Sequence, residues 1–131
     1  MTSKKISSTL LKIKSCRQSG YHTEALIRTY HLNLDLIRFL LSANTPDKKL
    51  SDKKAKELVS DLVKNIDEYP KLKTLITKKS AKSLKPWLDK MDAFFKSLKT
   101  KQAFGISGLQ SESEKILAIL NISLGKLQAK S

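Results

Sequence analysis

Glu24, Arg28, His31, Asp35 and Arg38 recur at intervals of three and four. On a helix they fall within about 80° of one another, because each residue turns the chain by ~100°. A histidine beside an arginine suits phosphodiester chemistry: imidazole moves a proton, and guanidinium steadies developing anionic charge. Arg28, His31 and Asp35 are therefore the candidate catalytic set of a nuclease acting on RNA. The same spacing gives ordinary pairs on a solvated helix edge, Glu24 with Arg28 and Asp35 with His31 or Arg38, each worth about 0.2–0.5 kcal/mol. Nothing else in the chain completes a site, so the favoured reading is non-catalytic and the nuclease is the alternative.

Other chemistry is sparse. Two histidines, one cysteine and scattered acids offer no metal-ligand spacing, and Gly105 and Gly108 lack the Lys-Ser/Thr of a phosphate loop. No metal and no cofactor are expected. Cys16 lies near the apolar side of its helix and reads as packing. Asp89 and Asp92 could share a face, but Lys85, Lys90 and Lys96 around them favour ion pairing. Asn33 lies opposite the polar stripe, on the apolar side, where a polar group must find a hydrogen bond.

Charge is the larger signal. The 131 residues carry 26 Lys and Arg against 12 Asp and Glu, a net +14. Residues 71–107 hold ten basic and two acidic residues, so more than half of the excess sits there. Lys71, Lys73, Lys78, Lys79, Lys82 and Lys85 form a candidate anion-binding patch for RNA or DNA. Specificity would be low, since lysine is a point charge without arginine's bidentate fork. A Lys-rich solvated surface is the plainer account of the same residues. No apolar run is long enough to span a bilayer, no leader-like block opens the chain, and one cysteine makes no internal disulfide. A membrane partner is therefore not expected, and a cytoplasmic setting is.

These groups must be positioned by helices. The chain has 21 Leu and 10 Ile but only 2 Val, with 4 Gly and 3 Pro. That balance favours helix over strand. The spacing predicts five main helices: 3–18, 23–43, 51–69, 83–98 and one from Leu109 through Leu127. Ser19-Gly20 ends the first, Thr23 is a candidate N-cap for the second, and Ser83 is one for the fourth. Leu72, Leu75 and Ile76 suggest a short extra helix, 78–82 reads as a connection, and 99–108 reads as a loop. The apolar face of the fourth helix is Trp87, Leu88, Met91, Phe94, Phe95 and Leu98. The second helix is apolar on most sides from Leu32 to Leu41, so it is either central or also meets another chain. Leu32, Leu36 and Phe39 are the candidate interface. The expected fold is all-α, an antiparallel bundle of about five helices forming one domain over residues 1–131.

The stretch Gly20-Tyr21-His22-Thr23-Glu24-Ala25-Leu26-Ile27-Arg28-Thr29-Tyr30, with Leu10-Leu11 before it, resembles the opening hairpin of HEPN domains. In that family of nucleotide-binding helical bundles, a first helix ends in Gly-Tyr. The second begins with a pattern like Glu-Ala-x-x-Arg-x-Tyr. The resemblance implies a helical bundle that often dimerises, in a group of toxin ribonucleases, nucleotidyltransferase partners and non-catalytic modules. The ribonuclease branch carries an Arg-x4–6-His motif late in the domain. Here the second half of the chain has neither Arg nor His. Arg17 and His22 have the spacing but straddle the first turn, so no catalytic residue is carried over. The expectation is a non-catalytic HEPN-like interaction module, a homodimer or bound to a protein partner, with a Lys-rich surface for nucleic acid. A small nucleic-acid-binding subunit of a larger complex is a further alternative.

Overall fold

The computed structural model describes residues 3–44, 50, 53–100 and 105–130. They form seven helical segments: α1 (Ser3–Gln18), α2 (His22–Asn44), α3 (Ala55–Glu68), α4 (Pro70–Leu75), α5 (Lys78–Lys82), α6 (Leu84–Thr100) and α7 (Ser107–Lys130). Strands are absent among the described residues, so the protein is all-α as the composition predicts.

The first turn is built as expected. Gly20 takes φ +83°, a left-handed conformation that glycine adopts without steric cost. The amide of Tyr21 donates to the Cys16 carbonyl at 2.8 Å and that of Gly20 to Arg17 at 3.2 Å, a Schellman closure. The second helix starts one residue before the expected N-cap. Ala25 N donates to Tyr21 O, which puts Thr23 inside the first turn.

α2 is the central helix. It packs against α1, α3, α4 and α7, and Leu26, Leu36, Ile37, Leu40 and Leu41 are fully buried. This corrects the expectation that Leu32 and Leu36 offer a surface to a second chain. They are 2% and 0% exposed within the protein's own core, and Phe39 is half-buried against it.

α3 begins at Ala55, with Lys53 and Lys54 outside the helix; the expected start at Ser51 lies outside the described residues. α3 ends at Glu68 because Tyr69 precedes proline and is extended (φ −122°, ψ 105°). Pro70 then opens α4 at a position where its missing N–H costs nothing. Residues 78–82 are a helical turn, not a simple connection. Thr77 caps it, its hydroxyl oxygen accepting from Ser80 N at 3.1 Å, and Ala81 anchors it with no exposure. Ser83 is not an N-cap: its backbone is αR and its hydroxyl donates back to Ser80 O.

α6 buries Trp87, Leu88, Met91 and Phe94, but Leu98 is 47% exposed and Ser97 is buried in its place. α6 runs on to Thr100 and α7 starts at Ser107, so both ends of the expected loop are helical; residues 101–104 lie outside the described residues. Thr29 meets Gln110 and Asn33 meets Ser113, so α2 and α7 run in the same direction. That departs from a purely antiparallel bundle. One cluster of buried side chains extends through all seven helices.

Candidate functional site

The polar stripe of α2 is paired within itself. Arg28 holds Glu24 at 2.9 Å, and Arg38 holds Asp35 at 3.2 Å. The hydrogen bond from Arg28 to Glu24 raises the guanidinium pKa further above its ordinary value. His31 is exposed and stands edge-on to the Tyr30 ring, centroids 5.3 Å apart. Among the described residues its imidazole makes no hydrogen bond, so no group orients it or shares its proton. Arg28, His31 and Asp35 thus share a helix face, with no hydrogen bond between His31 and either of the others. Tyr30 itself is half-buried against Trp87 and Phe95, and that burial pushes its phenol pKa up.

On the opposite side of α2, Asn33 is fully buried and belongs to a polar seam joining α2, α6 and α7. Its Nδ2 donates to Ser113 O at 3.1 Å. Trp87 Nε1 donates to Ser113 Oγ at 2.8 Å. Gln110 Nε2 donates to Thr29 Oγ1 at 3.3 Å and to Glu114 Oε1 at 3.2 Å. Arg17 pairs with the same Glu114, tying α1 to α7. Buried hydrogen bonds of this kind fix register and give the seam a structural role.

The lysines converge elsewhere. Where α3, α5 and α6 pack together, a groove of about 830 Å³ opens to solvent. Lys78, Lys82 and Lys85 of the expected patch line it. Lys71, Lys73 and Lys79 are exposed but lie outside its lining. Two further lysines, Lys56 and Lys64 of α3, complete the rim. They were not part of the expected patch, because charge counted along the chain leaves α3 net negative, with two lysines against four acids. Charge counted around the helix finds them: Lys56, Ser60, Lys64 and Asp67 follow at four, four and three residues.

Two acids, Asp67 and Asp89, share the lining with five lysines. Lys78 Nζ holds Asp67 at 2.7 Å, and Lys56 reaches Asp92 at 3.6 Å. Among the described residues Lys64, Lys82 and Lys85 form no ion pair. The field is felt at Asp67. Its hydrogen bond from Lys78, with the charges of Lys78, Lys73 and Lys82, holds its carboxyl below the usual carboxylate range. The floor differs in chemistry: Val59 and Val63 of α3 face Pro86 and Leu88 of α6. No group of His, Cys, Asp and Glu among the described residues could hold a metal ion. No described helix is long and apolar enough to cross a membrane.

Comparison with protein-family models, with curated proteins and with solved structures finds no match to this chain.

Proposed function

We propose that the protein is a non-catalytic helical binding module that holds an anionic macromolecular partner on the lysine-lined face of α3, α5 and α6. The observation that carries this reading is the convergence of Lys56, Lys64, Lys78, Lys82 and Lys85 on one groove, three of them without an ion pair among the described residues. The HEPN-like opening hairpin agrees with a non-catalytic module. So does the stripe on α2, whose arginines are both engaged by acids.

Two polyanions test the reading: a labelled generic single-stranded RNA and poly-glutamate, each at low and moderate salt. The wild type is expected to bind at least one of them at low salt. The triple variant Lys78→Gln, Lys82→Gln, Lys85→Gln should weaken that binding by about tenfold or more and lower the salt slope for RNA by about 2, roughly 0.7 per phosphate contact on a single strand. Equal binding by wild type and variant would remove the groove from the reading. Failure of both probes at low salt would remove the reading itself.

A further inference from the structure

The groove is not equally suited to every anion. Its α3 wall runs from Lys56 to Asp67 along one face, three helical turns, or roughly 16 Å at 1.5 Å per residue. Cationic side chains border an apolar strip in which Val63 is half-buried and Pro86 exposed, with Val59 and Leu88 buried in the core beneath them. A phosphate backbone would use the rim and leave the floor empty. Nor does the lining contain the arginines or aromatic rings that would grip phosphates bidentately or stack bases. A second copy of this chain fits poorly as well, since a protein of net +14 would set lysines against lysines.

We infer that the occupant is an amphipathic helix from an acidic partner protein, about three turns long. Its apolar face lies on Val63 and Pro86, and its flanking Glu and Asp meet Lys64, Lys82 and Lys85. Helix-in-groove recognition reads apolar anchors at i, i+3, i+4 and i+7, and the charged rim fixes which segment is accepted. This rests on the proposed function and names the partner class for the same face.

The test uses two labelled 18-residue peptides of identical Leu, Ala and Glu composition. One places Leu at i, i+3, i+4 and i+7 with Glu on both flanks; the other is scrambled, so that no apolar face forms. Fluorescence anisotropy at moderate salt should show the amphipathic peptide binding about tenfold tighter, with a gain of helical circular dichroism on binding. Val63→Asp, a change at a half-buried floor residue, should erase that advantage. The near-isosteric Val63→Thr should reduce it less, and circular dichroism of both variants checks that the helices persist.

Equal affinity for the two peptides would overturn the helix inference while leaving the charge-based reading standing. So would RNA that displaces the amphipathic peptide and binds more tightly than it does. Silence of every probe at low salt would end both.

Discussion

Asp67 is the most direct single reporter of the groove, because its carboxylate feels the lysines around it. The bond from Lys78 comes first among the causes that lower its pKa; desolvation, next in size, opposes it, and the charges of Lys78, Lys73 and Lys82 add to it. A carboxyl depressed in the folded state stabilises the fold above its unfolded pKa. That contribution is lost as pH falls through the folded value. In the variant Lys78→Gln the titration midpoint of Asp67, followed by its side-chain carboxyl NMR signal, should move up toward the ordinary carboxylate range. It should stay somewhat low, because Lys73 and Lys82 remain. A midpoint that does not move would mean the ammonium of Lys78 is not its dominant neighbour. His31 reads differently at this scale: its ring stands edge-on to Tyr30 and, among the described residues, carries no hydrogen bond.

At the scale of elements, one serine bonds to both α2 and α6 from α7. Ser113 Oγ accepts from the buried Trp87 indole and approaches Met91 Sδ at 3.9 Å, while its backbone carbonyl accepts from Asn33. Ser113→Ala removes little volume but strands the indole N–H in the core. The expected loss is about 1–3 kcal/mol, the usual penalty for an unpaired buried donor. Denaturant unfolding followed by Trp87 fluorescence measures it, and an unchanged midpoint would show that the indole bond contributes nothing net. Much of this layer was legible beforehand. The Leu and Ile stripes marked the long helices, and Asn33 stood out as a polar residue on an apolar face. Two features escaped for physical reasons. Periodicity says which side of a helix is apolar, not whether a neighbour covers it, so Leu98 looked like core and is exposed. α5 is five residues long and rich in lysine; its helix depends on the Thr77 cap and on burial of Ala81, which only tertiary packing supplies. Half of the candidate site was found as a basic run along the chain, at Lys78, Lys82 and Lys85. The rest, Lys56 and Lys64, lay on the outer face of α3, where the lysines are dispersed among acids in sequence and only the helical spacing brings them onto one face.

For the molecule as a whole, the net charge of +14 acts on stability as well as on binding. Folding draws the lysines of α3, α5 and α6 together around one groove, so the folded state carries more self-repulsion than an extended chain. Several ion pairs oppose this, among them Arg17–Glu114, Lys78–Asp67 and Lys90–Glu112, but they are largely exposed, and such pairs are worth about 0–1 kcal/mol each. Salt weakens both contributions. At about 0.15 M the screening length is ~8 Å, which barely touches a contact pair and strongly damps repulsion between lysines farther apart. Added sodium chloride should therefore raise the thermal midpoint between low ionic strength and about 0.15 M. The gain should be larger near pH 4, where carboxylates begin to protonate and the positive excess grows. It should shrink in the variant Lys78→Gln, Lys82→Gln, Lys85→Gln, which removes three charges from the crowded face. Thermal melts followed by circular dichroism across a salt series decide the matter. A midpoint that falls with salt would mean that the ion pairs outweigh the repulsion. The groove would then be held together by its acids, rather than held ready for those of a partner.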